Sequence, residues 1–471
     1  MLQSLLTRNL QAKDFAIPAR QVPTYQMING RIVSYTDNPE TFLKKGYDIN
    51  DIVYSIVNLI MDKCRVAPWA IYEISDEAAY KQLQGMQKKS TWTGKDYTKM
   101  LALHEKALKP ARNPGKWGDL IKNPNDRQSW NDLIAFGVGY DCLFGNNYTW
   151  GNILSAGANK GTPQELWLMP AQHMNIWATD TFPTRVTKYT VNQWPMIDYK
   201  PIEVMHEAEW NPNWEVNGSQ LYGIPPLRAA LGLLTRNNKS MDMTISERDN
   251  GGIKGVLHMK VKPGEVEGEQ LVQEVGALKS TMISEWSGTE NRGRIGISGY
   301  DMGWLPMGAT SEEMQIIESE KWDMRRLANV WRVSSRMLND PDNTAEANVE
   351  EAEKALTTRA ALPRLIKKRE AYNRKAVNDW GLDKKYVIDF DMSAYTELGA
   401  DVKDTAEWTS KMIAISPNEQ RELSGLAALP EKELNEPWVM SGGNRVPLSE
   451  FQANDVDNAL NQADDFEEDI S

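Results

Sequence analysis

Two strongly helical stretches, Pro225 to Asp249 and Ser311 to Val333, bracket a shorter, strand-rich and glycine-punctuated insert from Gly251 to Gly308. No other feature limits the possible folds of this chain as much. The first helix opens on Pro225-Pro226, whose fixed φ suits a first turn, and Leu227, Leu231 and Leu234 then recur at i, i+4 and i+7. Met241 and Ile245 continue a thinner apolar stripe among Arg236, Lys239, Asp242, Glu247 and Arg248, until Asn250-Gly251-Gly252 supplies a left-handed stop. At the standard rise this helix is about 37 Å long. The second takes Thr310 or Ser311 as its N-cap and places Glu312-Glu313 where the macrodipole favours acids. Its stripe is Met314, Ile317, Met324, Leu327, Ala328 and Trp331. Such stripes exceed what one partner helix covers, so the sequence predicts self-association. Between the helices the pattern reads strand (Ile253 to Val261), amphipathic helix (Val266 to Ile283), Gly-rich turn (Ser287 to Gly293) and a second strand around Ile295-Gly296-Ile297.

The flanks make the chain α+β. From Gly46 to Tyr222, helices alternate with short β-rich pieces such as Met174 to Ala178 and Arg185 to Val191. Residues 1 to about 45 are polar and proline-punctuated and read as an arm that lies along a neighbour or is partly disordered. The Lys- and Trp-rich stretch Gln87 to Lys122 reads as a surface excursion on the body. After a polar loop, Asn339 to Thr344, a third helix is predicted from Ala345 to about Trp380, kinked where Pro363 removes a ladder hydrogen bond. Past Asp391, amphipathic pieces (Asp401 to Ile413, Pro417 to Leu423) give way to a Pro- and Gly-rich stretch and an acidic tail, Asp455 to Ser471, expected to be disordered.

Composition narrows the function. At 471 residues, 41% of them hydrophobic, the chain can bury substantial cores and divides into roughly two to four domains. A mean hydropathy of -0.55 suits an elongated molecule with much polar or subunit-facing surface. The formal charge of -12 and the pI of about 5.1 argue against a chain that grips nucleic acid by neutralising phosphates. They are compatible with one that lets DNA slide past. Cys64 and Cys142, the only cysteines, lie in apolar helical contexts, which excludes a disulfide framework or Cys-rich zinc site and makes both small core residues. Neither a signal peptide nor an uncharged apolar run of bilayer length is read in the sequence, so synthesis in a reducing cytoplasm and no membrane contact are expected.

Catalytic and cofactor chemistry finds little footing. His206 has no second histidine at metal spacing, and His104, His173 and His258 are isolated and expected at the surface or at strand ends. A Gly-x-Ser-x-Gly elbow and a Cys–His pair are both lacking. Gly293, Gly296 and Gly299 lack dinucleotide spacing, and Ala158-Asn159-Lys160-Gly161-Thr162 lacks the first glycine of a phosphate loop. No catalytic residue, cofactor or metal is therefore assigned. Carboxylates in Asp389-Phe390-Asp391 and Asp340-Pro341-Asp342, with 17 Trp as sugar-stacking platforms, keep a two-carboxylate carbohydrate hydrolase as a rival reading. Against it, Trp130, Trp322 and Trp331 occupy apolar helical positions that packing explains.

A series of short strings follows in a fixed order. Tyr47-Asp48-Ile49-Asn50 leads into Ile52, Ile56, Leu59 and Ile60 at helical spacing, then into Val66-Ala67-Pro68-Trp69 and the strand-like Ala70-Ile71-Tyr72-Glu73. Asn123-Pro124 and Ser129-Trp130 precede an apolar helix ending in Gly145-Asn146-Asn147-Tyr148. Leu166-Trp167-Leu168-Met169-Pro170, Val204-Met205-His206, Gly223-Ile224-Pro225-Pro226-Leu227 and the stretch Gln315 to Met337 come next. In order and spacing, from about Tyr47 to Pro430, these strings resemble the portal family of tailed bacteriophages with HK97-type capsids. The sequence departs from the family at Pro225, where a serine is usual, and in Val333 to Leu338, which lacks the usual prolines.

The resemblance implies an α+β portal fold with an α/β wing, a two-helix stem, a small αβ clip and a helical crown. Its segments are an N-terminal arm (1–45), wing (46–224), first stem helix (225–250), clip (251–308), second stem helix (309–337), tunnel loop (338–345), kinked helix returning to the wing (346–394), crown (395–450) and acidic tail (451–471). It implies a ring of about twelve copies at one capsid vertex, a homo-oligomer through which double-stranded DNA is packaged and ejected. Terminase large subunit, head–tail adaptor and major capsid protein are the implied partners. The ring belongs to the virion after assembly in the host cytoplasm and is not an enzyme. Another head–tail connector or adaptor component is the nearer alternative. The implied channel residues are Leu338, Asn339, Asp340, Pro341, Asp342, Asn343, Thr344 and Glu346. Asp340, Asp342 and Glu346 suit an acidic lining that keeps DNA mobile, while a solvated turn with Asx caps uses the same residues.

Overall fold

The computed structural model describes residues 38–88, 94–154, 160–179, 183–192, 196–213, 219–250, 255–259, 302–306, 316–342, 347–398, 415–423, 429–441 and 444–449, the short strands at 15–17, 27–28 and 31–32, and a few isolated positions. These residues form two compact units, one from Met1–Arg20, Ser55–Pro226 and Trp331–Ser471, the other from Gln21–Tyr54 and Leu227–Val330.

In the first unit, strand Trp69–Ile74 is the centre of an antiparallel sheet, with Tyr386–Phe390 on one edge and Leu108–Pro110 on the other. Its two-residue period sends Trp69 and Ile71 inward. There the Trp69 ring lies 5.1 Å from Phe390 and 6.4 Å from Trp130, and Trp130 lies 5.1 Å from Tyr372. Trp130 opens the helix Trp130–Phe144, which Ser129 and Asp132 start with a reciprocal capping box. That helix is apolar around most of its circumference because it is surrounded by core. A second sheet has the order Val204–Ala208, Asn146–Ile153, Pro163–Met169. A third joins Phe15–Ile17, Met174–Ala178, Val186–Val191 and Asp198–Tyr199. Tyr148, Met169, Met174, Ile176, Tyr189 and Val204 make a common cluster from these strands.

Several expectations change here. The described part of Gln87 to Lys122 packs into the core and is not a surface excursion: Tyr97 and Met100 of helix Gly94–Ala107, and Trp117 and Leu120 of helix Lys116–Lys122, are all buried. Its lysines dominate the composition while its apolar residues dominate the packing. Part of the N-terminal arm is a strand, with Ala16 opposite Trp177. The break expected at Pro363 takes the form of a π-helical stretch, Leu356–Ala361, between helices Ala347–Ala355 and Leu362–Asn378. Widening the ladder just before a residue with no N–H accommodates the missing donor. Helix Pro417–Leu423 is as expected, whereas Trp438–Ser441 and Asn444–Pro447 pair as a hairpin in the region read as a helical crown.

In the second unit the predicted first helix is split into Pro226–Ala229 and Leu231–Asn250. Asn50 ties this helix to the residues before it. Its Nδ2 donates to Asn237 Oδ1 and Asn238 Oδ1, each at 2.7 Å, while its Oδ1 accepts Val53 N at 3.0 Å. Asn238 in turn donates to Lys45 O at 2.8 Å. Gly46 allows this approach, since a Cβ there would lie 2.8 Å from Leu227. Pro39–Thr41 and Phe42–Tyr47 are helical and Phe42 is buried, so the arm gives way to packed structure before residue 45. The second long helix is described over Ile316–Val330 and stops short of Val333, because Arg332 takes φ 63, in the left-handed region where a helix cannot continue. Trp322 on it is 58% exposed, contrary to the packing role expected from its position. The insert opens with strand Gly255–Met259, as predicted, and the strand paired with it is Met302–Pro306. Thr310 and Ser311, the turn Ser287 to Gly293, the strand around Ile295 to Ile297 and the acidic tail lie outside the described residues. Of the predicted insert helix, residues 273, 276, 277, 279 and 280 are described and helical.

Candidate functional site

Three of the strings singled out in the sequence close on one asparagine. Gly145, at φ 67, ends a helix and turns the chain into the strand that Asn146 begins. Asn146 Nδ2 donates to Phe144 O at 2.9 Å and to Gly223 O at 3.3 Å. Its Oδ1 accepts Gly223 N at 2.8 Å and His206 Nε2 at 3.1 Å, so the amide is fully used. His206 lies opposite Tyr148 in the strand register and stacks on it with centroids 4.3 Å apart. Burial pushes its imidazole down to about 3, with Lys367 adding to the effect, so the ring is neutral and structural. A Cβ on Gly223 would meet Gly145 O at 2.0 Å and Glu209 N at 2.4 Å. These strings fix the fold.

Beside them lies a buried charge cluster that sequence reading missed. Lys368 places Nζ 2.6 Å from Asp141 Oδ2 and 3.2 Å from Glu207 Oε1, and all three side chains are buried. Asn147 Nδ2 donates to the same Glu207 oxygen at 3.0 Å. Desolvation raises both carboxyls, Glu207 to about 7, while the two acids hold the Lys368 ammonium well above its ordinary range. One signal was available. Leu365, Lys368, Arg369, Tyr372 and Ala376 fall on one helical face, so the cations sit within an apolar stripe.

The residues implied to line a channel begin in the 3₁₀ turn Ser335–Leu338, where Leu338 is half-buried. Asn339 caps the turn at φ 58 and is exposed. Asp340 turns inward and is 3% exposed. Its Oδ2 accepts Ser335 Oγ at 2.7 Å and its Oδ1 accepts Asp342 N at 3.2 Å, an Asx-turn. Pro341 and Asp342 are exposed. Asn343, Thr344 and Glu346 lie outside the described residues.

Within the second unit, helices Leu231–Asn250 and Ile316–Val330 pack together. Arg236 pairs with the wholly buried Asp323, and Ala229, Gly232 and Leu233 share an open groove of about 600 Å³ with Arg326, Asn329 and Val330. Rising numbers on one helix meet falling numbers on the other, so the pair is antiparallel. Met243, Ile245 and Trp322 are exposed on these helices, and in the first unit Trp210 is 82% exposed.

The carboxylates of the hydrolase reading have structural partners. Asp389 is buried with Arg369 Nη1 at 3.3 Å from both oxygens, and Asp391 Oδ1 caps a turn by accepting Ser393 N at 2.8 Å. Cys64 and Cys142 are buried free thiols, and burial pushes Cys64 up to about 12, which keeps it protonated. Among the described residues, no group of three or more His, Cys, Asp and Glu is arranged to hold a metal, and no helix is long and apolar enough to cross a membrane.

An α+β chain whose antiparallel helix pair carries a two-stranded insert between its members has the layout of a portal-type head–tail connector. Residues 101–425 match the family model for phage portal proteins, and the chain belongs to that family. An uncharacterized protein of Rickettsia bellii (strain RML369-C) is 23% identical over 391 residues, covering 82% of this chain and 89% of that one. Among solved structures, the fold is similar to a chain of the neck of an empty GTA particle computed with C6 symmetry. That match has a TM-score of 0.57 at 18% identity and covers 87% of this chain and 96% of the other. A chain in the neck of a native GTA particle computed with C12 symmetry gives 0.56 at 19% identity, over 85% and 96%.

Proposed function

We propose that copies of this chain close into a ring at one capsid vertex, forming the channel through which double-stranded DNA is packaged and ejected. The observation that carries this reading is the antiparallel helix pair with its ribbon-rooted insert, in a chain of the portal family. In this assignment the wing comprises 46–224 and the returning helix 346–394, the stem 225–250 and 309–337, the clip 251–308 and the crown 395–450. The clip meets the terminase large subunit during filling and head–tail adaptors afterwards, and the wing faces the major capsid protein. Exposed Met243, Ile245 and Trp322, with the groove beside Arg326, offer surface for a neighbouring subunit. The C6 and C12 symmetries of the similar neck structures support a closed ring of about twelve. The ring is a structural part of the virion, assembled in the host cytoplasm, without catalysis of its own.

The charge balance supports a conduit. Duplex DNA carries one phosphate charge per about 1.7 Å, so a cationic channel would hold it through many contacts. A chain of net charge -12 with an exposed Asp342 in the loop 338–345 repels it weakly and leaves it free to move. Negative-stain imaging with native mass spectrometry tests the assignment: a closed ring with an axial hole is expected, and a strictly monomeric chain at micromolar concentration with intact helical content overturns it.

A further inference from the structure

Asn147 and Glu207 lie opposite each other on paired strands, and each presents one planar polar group to the other. Asn147 Nδ2 donates to Glu207 Oε1 at 3.0 Å. The second oxygen of each group, Asn147 Oδ1 and Glu207 Oε2, is buried and accepts no hydrogen bond. With Glu207 ionised and the amide neutral, these two oxygens stay bare acceptors in a site where Asp141 Oδ1 is a third. A single proton between them cures both defects. We propose that Glu207 is kept as a neutral carboxylic acid in the folded protein, its Oε2–H donating to Asn147 Oδ1 so that acid and amide close a ring of two hydrogen bonds.

The surrounding charges favour this state. Lys368 is the ammonium in contact, at 3.2 Å from Glu207 Oε1 and 2.6 Å from Asp141 Oδ2. One cation against two carboxylates leaves a net negative charge on three buried groups, and protonating one acid makes the trio neutral. Asp141, from helix Trp130–Phe144, holds the shorter contact and keeps the charge. Among the other titratable groups, Lys367 favours the ionised form of Glu207, less than Lys368 does. Lys367 is paired with Glu209 at 2.8 Å, His206 is neutral, and Arg364 interacts with Cys142, Glu209 and Asp141. Tyr148, Tyr372 and Cys142 are all pushed up by burial and stay protonated. Burial raises the Glu207 carboxyl to about 7, which agrees with the geometry.

The sign of the effect follows. A carboxyl raised in the folded state from 4.5 to about 7 stabilises fully below pH 4.5, and that contribution is lost as pH rises through about 7. The folding constant should fall by up to about tenfold per pH unit inside this window.

Infrared difference spectroscopy of the full chain, titrated with Glu207→Gln and Asn147→Ala alongside, decides the matter. A protonated-carboxyl stretching band should persist at about pH 6, where ordinary Asp and Glu are ionised, and vanish with a midpoint of about 7. It should be missing in Glu207→Gln, whose amide mimics the neutral acid and flattens the pH dependence of folding. In Asn147→Ala the band should move to higher frequency as the acid loses its acceptor. Absence of the band from the parent protein at about pH 6 overturns the proposal whether or not the variants fold. A band unmoved by Asn147→Ala overturns it too, because the proton then sits on Asp141.

Discussion

Asn146 accepts the Gly223 N–H on its Oδ1 at 2.8 Å and directs its Nδ2 back to the Gly223 carbonyl at 3.3 Å, joining residues 77 apart in sequence. The side chain thus acts as a strand partner for one residue of a loop. It fits only because Gly223 has no Cβ: a methyl group there meets the backbone at Gly145 O and Glu209 N, and backbone cannot swing aside. Gly223→Ala should therefore cost more than about 4 kcal/mol, beyond the usual range for one substitution. Gly85→Ala is the control, since nothing lies within 4 Å of the added methyl in helix Glu77–Gln87. It should stabilise by about 0.5–1 kcal/mol. Thermal melts of the soluble fraction compare the two, and equal melting temperatures would show that the loop yields.

Lys368→Met removes the one ammonium in contact with Asp141 and Glu207. Breaking a buried pair from one side typically costs about 3–5 kcal/mol, because the remaining charge has no compensation. The loss should be smaller in mild acid, where both carboxyls, already raised by burial, take up protons. Urea unfolding at about pH 5 and about pH 8 checks both the size and the sign. A penalty that does not grow with pH would mean that the acids are neutral without the lysine.

Much of this scaffold could be read in the sequence, and what could not has identifiable causes. The strings Gly145 to Tyr148, Val204 to His206 and Gly223 to Leu227 carried the family resemblance, and the fold brings the first to the other two through Asn146. Their residue types are dictated by close packing, which makes them visible in one sequence. The stretch Gln87 to Lys122 was misread because its many lysines masked two short inward-facing pairs at i, i+3, Tyr97 with Met100 on one helix and Trp117 with Leu120 on the next. Lys368 escaped notice because its partners come from a helix and a strand far away in the chain. The channel loop is the opposite case: the resemblance gave Asp340 and Asp342 the same role, whereas Asp340 is engaged by its own turn and Asp342 is exposed.

The insert should be separable from the body. Gly255 pairs with Pro306 and Met259 with Met302, so its two ends already lie side by side. A deletion joining Gly251 to Gly308 needs only a tight turn to replace them. Rings should still form, while binding of terminase or head–tail adaptor, measured by co-sedimentation, should be lost. An insoluble chain would place the insert within the main core, and unchanged binding would move the docking surface elsewhere.

The channel assignment is tested most sharply at Asp342. Asp340 is the wrong residue to invert, because its carboxylate accepts both Ser335 Oγ and Asp342 N, and a lysine there would dismantle the turn. Asp342 contributes its backbone N–H to that turn and leaves its side chain exposed. Asp342→Lys therefore spares the carboxylate that holds the turn and exchanges one repulsive charge for one attractive charge in every subunit of the ring. Assembly should survive, since little apolar area is involved. DNA passage should slow at low ionic strength as phosphate contacts form, then recover as salt screens them over a Debye length of about 10 Å at 0.1 M. Packaging rates across a salt series give the answer: a variant that packages at the parental rate in low salt takes the loop out of the channel, even if the ring itself stands.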